Sequence, residues 1–197
     1  MMNCDFSVLV PMIHRRLTSY SFRLLEDLHN QARDLPVEIL GFYDNQRRTT
    51  GEKRNGLLQL ARGEFLTFVD DDDRIAPTYV ADILQAIRGN PTADVICFWC
   101  DCSMDGGPPK LCKYSVTYGG YTDTPTLWTG LPAHTMVWRS DIAKSVGFEQ
   151  KWNYEDMDWV SRAVPAVRIE VQIERVLYFY DSRAGESCTR GGSIGES

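Results

Sequence analysis

Residues 65–74, FLTFVDDDDR, set an apolar run directly against four consecutive carboxylates. A run of that kind reads as a buried strand, and a buried strand that stops in four like charges must stop where a cation or ample water meets it. The neighbouring segments follow a similar plan. Phe6 to Val10 is a short apolar run stopped by Pro11, Pro36 opens a second run, VEILGFYD, that ends at Asp44, and Ala93 to Cys100 is a fourth. Between them Leu17, Tyr20, Leu24, Leu25 and Leu28 recur at helical spacing in a segment reaching about Arg33. Leu57, Leu60 and Ala61 indicate a short helix stopped by Gly63 in a left-handed cap. Pro77 suits the first turn of another helix, whose Val80, Ile83, Leu84 and Ile87 face the core before Gly89 ends it. Apolar, non-alternating strands separated by helices predict an α/β domain with a mainly parallel sheet covered on both faces. In such sheets ligands bind beyond the carboxyl ends of the strands, where Pro11, Asp44 and Asp70 converge.

The second half is less regular. Residues 103–132, rich in Gly, Pro, Thr and Tyr, read as hairpins or a long functional loop. A strand at TMVW (135–138) and a helix capped by Ser140 follow, then EDMDWVSRA as a helix with acidic residues in its first turn, and VQIERVLYFY as a final strand or strand pair. The length of 197 residues suits one domain, read as residues 1–189, with 190–197 a flexible Gly/Ser tail.

Composition narrows the function. A net charge of −6 without a long basic stretch does not advertise a sequence-independent grip on nucleic acid. No apolar run approaches the roughly 18 residues of a membrane span. The N-terminus MMNCDFSVLVPM lacks the charged-then-apolar plan of a secretion signal, so a soluble cytoplasmic protein without stable membrane insertion is expected. In that compartment the six cysteines read as free thiols. Cys97, Cys100, Cys102 and Cys112 match no common zinc spacing, and buried inert cysteine is the plainer reading.

Closely spaced aspartates on a loop suit a hard divalent cation such as Mg²⁺ or Mn²⁺, with positions left open for substrate phosphates. The competing reading of Asp70 to Asp73 is a solvated acidic turn that caps the next helix. Lys53 and Arg54, between the second and third strands, either balance those carboxylates, hold phosphate oxygens, or lie on a solvated helix face. Glu155-Asp156 offers a general base near the site, or merely acids favouring a helix N-terminus. An aspartate, with an ordinary pKa of about 3.9, is a weak base and would work by position. Neither G-x-G-x-x-G nor G-x-x-x-x-G-K-[ST] is present, so dinucleotide and P-loop readings lack support.

Taken in order, SVLVPM, YDN, GEKRNGLLQLARGEFLTFVDDDD and GFEQKWNYEDMDWVSRA resemble the family 2 glycosyltransferases of the GT-A fold, over about residues 5–185. The resemblance implies a Rossmann-like domain with a nucleotide-binding half at about 1–100 and a smaller mixed acceptor half at about 101–189. It implies a nucleotide pocket lined by Pro11 and the segment after it, with Asp44 toward the nucleobase and Lys53, Arg54, Asn55, Asp70 and Asp71 on the nucleotide. Asp70 and Asp72 then form the D-x-D, with Asp72 on Mn²⁺ or Mg²⁺ and Asp70 near the ribose. The register Asp71 and Asp73 is the alternative, but the apolar run ends at Val69, which favours the first. Asp156 matches the catalytic base, with Glu155 beside it toward the acceptor.

The implied reaction is inverting transfer of a sugar from a nucleoside-diphosphate sugar, UDP being the expected nucleotide, to an acceptor hydroxyl. The acceptor is a glycan or, as in some phage enzymes, a hydroxymethylated DNA base. Two departures stand out. Many members carry a later His that helps hold the diphosphate, and YFYDSRAGES has none, which leaves Arg183 or Ser187 to replace it. His14 and His134 match no family position and read as structural or exposed. The chain is also short for the family, which suggests a minimal catalytic domain. Two other classes compete: a non-catalytic nucleotide-sugar-binding module on a degenerate GT-A fold, and a nucleotidyltransferase, which would want a Gly-rich loop where PMIHRRLTS has no glycine.

Overall fold

The structure, a computed structural model, describes residues 4–45 and 47–182. In chain order the elements are β1 (Phe6–Met12), α1 (Phe22–Ala32), β2 (Val37–Tyr43), α2 (Thr50–Leu60), β3 (Phe65–Phe68), β4 (Arg74–Ile75), α3 (Tyr79–Gly89) and β5 (Val95–Met104). They continue with β6 (Lys110–Tyr114), β7 (Thr122–Asp123), β8 (Leu127–Gly130), β9 (Val137–Arg139), α4 (Ser140–Val146), α5 (Glu155–Ala163) and β10 (Glu170–Ser182).

β1 lies parallel to β2 on one edge and to β3 on the other. The chain therefore steps one way from β1 to β2 and the other way from β2 to β3. Right-handed crossovers then put α1 and α2 on opposite faces of the sheet. α1 packs with α3, and α2 with α4 and α5. Beyond β3 the sheet becomes mixed, in the order β2-β1-β3-β9-β5-β6-β8-β7. β9 inserts antiparallel between β3 and β5. β10 runs parallel to β5 from Glu170 beside Val95 to Ser182 beside Met104, so it takes the edge that β9 and β6 leave, and its other edge pairs with β4. Phe6, Val8, Leu9, Phe65, Leu66 and Phe68 are wholly buried, as strands covered on both faces must be. Phe148 stacks on Trp159 at 5.0 Å and meets Phe68 edge-on at 5.3 Å, which locks the loop before α5 onto β3.

Several local expectations change. β1 runs through Pro11 rather than stopping there. Val69 N–H donates to Leu9 O at 3.0 Å, so Pro11 faces the same edge two residues further on, where β3 has ended, and its missing N–H costs no ladder bond. α2 begins at Thr50, well before the apolar residues, because Thr49 and Glu52 form a capping box. Gly63 does not adopt a left-handed conformation. It is needed for close approach, since a Cβ there would lie 2.6 Å from Ser7 N. Ser140 is not a cap, and its hydroxyl donates to Gly63 O instead. The final strand is one element with bulges between Ile173 and Tyr178. Cys97, Cys100 and Cys112 are buried free thiols. No helix among the described residues is long and apolar enough to cross a membrane.

Candidate active site

The carboxyl ends of β1 and β3 open into a cavity of about 1490 Å³. That exceeds the roughly 300–1,000 Å³ of a typical small-molecule pocket and leaves room for two substrates. One wall is the segment from Pro11 to Arg16, the floor holds Arg54 and Asp70 to Asp73, and Glu155 and Asp156 come from the first turn of α5. Tyr121, Trp128, Trp152 and Tyr154 also line the cavity.

The four aspartates form a turn, with Asp73 N–H donating to Asp70 O at 3.1 Å, and the turn divides them. Asp71 and Asp73 point inward and are buried. Asp71 Oδ2 accepts from Ile13 N–H at 2.7 Å and Ser21 Oγ at 3.1 Å, and Oδ1 accepts from Arg16 Nη1 at 3.0 Å. Asp73 Oδ2 accepts from the Tyr178 hydroxyl at 2.6 Å, while that hydroxyl accepts from Asp70 N–H at 3.0 Å. Asp70 and Asp72 keep 28% and 21% of their side chains exposed, on the cavity side. Asp72 Oδ2 pairs with Arg16 Nη2 at 2.7 Å.

Arg54 ties this turn to α5. It donates from Nη2 to Asp70 at 3.0 Å and from Nε to Glu155 at 3.1 Å, with its guanidinium over the rings of Phe68 and Phe148. Lys53 pairs with Asp44 at 2.7 Å and donates to Met12 O at 2.9 Å. Neither cation lies on a solvated helix face: Arg54 pairs with one of the four aspartates and Lys53 with Asp44. Asp44 also accepts from Arg48 N–H at 3.0 Å and stands behind Lys53. Asn55 does not reach the cavity: its amide donates to Phe148 O and accepts from Phe148 N–H, both at 2.7 Å, and so holds the loop before α5. Arg183 and Ser187 lie outside the described residues.

His134, read from sequence as structural or exposed, sits buried inside the site. Its Nε2 is 3.5 Å from Asp70 Oδ2 and its Nδ1 is 3.5 Å from Asp156 Oδ2. The 133–135 segment is strapped along the end of β3, Thr67 Oγ1 donating to Thr135 O at 2.8 Å and Phe68 N–H to His134 O at 3.4 Å. Nothing in the PAHT segment marks this, because it follows from β9 inserting beside β3.

Around the aspartate turn and the start of α5, acidic side chains outnumber basic ones. Asp70, Asp71, Asp72, Asp73, Glu155 and Asp156 face two guanidinium groups, those of Arg16 and Arg54, and one imidazole. Burial opposes ionisation of Asp70, but Arg54, His134 and Arg16 outweigh it and hold its carboxyl well below the ordinary range. Burial pushes Asp72 up to about 6 against the pull of Arg16, with the charges of Asp70 and Asp71 adding to the rise. Burial likewise raises Asp71, Asp73 and Glu155. Asp73 Oδ1, His134 Nε2 and Arg54 Nη1 are buried without a hydrogen-bond partner in the protein. Surplus carboxylate and unmet polar atoms are the marks of a site made for a cationic and polar ligand. Among the described residues no three acidic, His or Cys side chains are grouped to hold a metal unaided. Asp70 and Asp72 are hard oxygen donors, the kind of which Mg²⁺ or Mn²⁺ takes one or two while completing its shell with substrate oxygens.

The family model of glycosyl transferase family 2 matches residues 21–144, more than half the chain, and the chain belongs to that family. No curated protein matches the sequence. Among solved structures, residues 1–349 of TarS from S. aureus in complex with UDP-GlcNAc superpose with a TM-score of 0.69 at 19% identity, covering 95% of this chain and 61% of that one. The same TarS segment in complex with UDP gives 0.65 at 19%, over 90% of this chain and 60% of that one. A further TarS structure gives 0.64 at 20%, over 90% of this chain and 36% of that one. The chain thus spans at most 61% of the length of these structures, and at such identities the likeness establishes the fold, the GT-A α/β fold.

Proposed function

We propose that the protein transfers a sugar from a nucleoside-diphosphate sugar, with UDP as the nucleotide, to an acceptor hydroxyl with inversion at the anomeric carbon. The observation that carries this reading is one cavity in which the turn at the end of β3 presents Asp70 and Asp72 while α5 presents Asp156. Membership of family 2 and the UDP and UDP-GlcNAc complexes of TarS support the donor class.

The segment from Pro11 to Arg16 forms the nucleotide wall, backed by Asp44 and Lys53. Asp72, with Asp70 beside it, would hold Mn²⁺ or Mg²⁺, which when bound would neutralise charge on the departing diphosphate. Asp156 accepts the proton of the acceptor hydroxyl as its oxygen bonds to the anomeric carbon and the bond to the diphosphate breaks. Glu155 keeps Arg54 against Asp70, and His134 lies between Asp70 and Asp156. Tyr121, Trp128, Trp152 and Tyr154 offer flat apolar faces suited to the C–H face of a sugar ring, so the acceptor is read as a glycan. The net charge of −6 disfavours polyanionic DNA as the alternative acceptor. The setting is the cytoplasm, where such donors are made.

The test is hydrolysis of a panel of UDP-sugars in Mn²⁺, with water in place of the acceptor. The wild type should turn over at least one donor slowly. Asp72→Ala should abolish turnover, and Asp156→Asn should keep UDP binding while losing about 100-fold or more in rate. Binding without turnover of any donor, with or without a glycan acceptor, would mark a non-catalytic module and contradict the proposal.

A further inference from the structure

Arg16 occupies a place that the catalytic reading leaves unexplained. It closes the short turn His14–Arg16 directly after β1, its backbone N–H on Ile13 O at 3.0 Å, and its side chain is buried at the cavity wall. Its two terminal nitrogens take different carboxylates: Nη1 pairs with Asp71 at 3.0 Å and Nη2 with Asp72 at 2.7 Å. The first pairing is inward and structural. Asp71 also has the Ile13 N–H and the Ser21 hydroxyl, so it does not depend on Arg16 alone. The second pairing is different, because Asp72 faces the cavity and is the carboxylate proposed to take a divalent cation.

A guanidinium held 2.7 Å from Asp72 Oδ2 competes for that carboxylate with any other cation. A doubly charged ion on the same group would face the guanidinium at close range, where like charges repel strongly in a partly buried site. The conflict is relieved only if a new anion arrives for one of the two. A diphosphate is such an anion, since its oxygens complete a metal's shell and also suit the two-pronged guanidinium. Lys53 and Arg54 do not offer this exchange. Lys53 is spent on Asp44, and Arg54 bridges Asp70 and Glu155.

We infer that Arg16 is a built-in counter-ion of the proposed metal site: it holds Asp72 when no nucleotide is bound, and makes cation binding depend on the nucleoside diphosphate. The inference rests on the metal and nucleotide reading given above. Because coupling between two ligands is reciprocal, the metal and the nucleotide then each strengthen the binding of the other.

The experiment measures free Mn²⁺ by electron paramagnetic resonance during titration of wild type, Arg16→Lys and Arg16→Gln, each with and without UDP. Lysine keeps a charge for Asp71 but cannot span two carboxylates, so this variant guards against a folding failure in Arg16→Gln. Wild type should bind Mn²⁺ weakly alone and about tenfold or more tightly with UDP. Both variants should bind Mn²⁺ alone about tenfold more tightly than wild type, with a correspondingly smaller gain from UDP. Variants that bind Mn²⁺ alone with wild-type affinity or more weakly, while UDP still promotes binding in wild type, overturn the role of Arg16 and leave the metal reading intact. Mn²⁺ that binds none of the proteins even with UDP overturns the metal reading and the inference together.

Discussion

The four aspartates that end the third strand divide by direction. Asp71 and Asp73 are anchors, one tying the turn to the segment after β1 and the other tying it to Tyr178 of β10, while Asp70 and Asp72 face the cavity. Their acidity gives a pH prediction. Burial raises the carboxyl groups of Asp71, Asp72, Asp73 and Glu155, that of Asp72 to about 6. A carboxyl raised in the folded state binds its proton more tightly there than in the unfolded chain. Its contribution to stability is full below the ordinary carboxylate range and is lost as pH rises through the raised value. Glu38 is lowered, its hydrogen bonds from Ser7 and Arg62 outweighing burial, and Asp70 is lowered by Arg54. Both are ionised above about pH 5 whether folded or not, and add no slope there. In EDTA the melting temperature should therefore fall as pH rises from about 5 to 7.5, with the part owed to Asp72 levelling off above about 6. A melting temperature that is flat or rising across that window would count against the surplus of buried negative charge. The stop of the apolar run at Val69 singled out Asp70 and Asp72, but it did not announce that Asp71, expected on the nucleotide, is buried against Ile13, Arg16 and Ser21 instead. The place of His134 was not legible, since no local pattern announces which strand will pass beside it.

Helix α2 is the element on which the site hangs, for it carries Lys53, Arg54 and Asn55 on three sides. Its first turn docks against the loop that leads into α5, with Gly51 N–H on Lys151 O at 3.1 Å. A Cβ on Gly51 would stand 1.8 Å from Glu149 O, an approach that only glycine allows. Gly51→Ala should therefore cost about 1–3 kcal/mol in urea unfolding, with the pre-α5 loop displaced and Asp156 with it. An alanine variant as stable as wild type would show that this loop yields freely. Tyr154, at the N-cap of α5, adopts a left-handed φ of 64°, a conformation that non-glycine residues hold only at a cost. The strain falls on the residue before the two acids that the helix delivers to the cavity. The bounds of α5 could be read from its acidic first turn and spaced apolar residues. The start of α2 was hidden because Gly51 and Gly56 dilute its apolar signal, although the T-x-x-E of Thr49 and Glu52 was there to be found.

Across the molecule, the first half of the fold could be read from sequence because β1, β2 and β3 pair through short local crossovers. The second half could not, because β9 inserts between β3 and β5 and β10 returns beside β5, pairings that no local periodicity encodes. Those same long-range pairings bring His134 and Tyr178 to the carboxylates. The result is a family 2 domain in which six acidic side chains gather around two guanidinium groups where β3 and α5 meet. If that surplus exists for a cation and a nucleoside diphosphate together, thermal unfolding with UDP in Mn²⁺ against UDP in EDTA reads it directly. UDP at 100 times its dissociation constant should add about 2.7 kcal/mol, roughly 5–10 °C for a chain of this size. Most of that gain should vanish in EDTA and in Asp72→Ala. Equal shifts in Mn²⁺ and EDTA, or no shift with any nucleoside diphosphate, would contradict it.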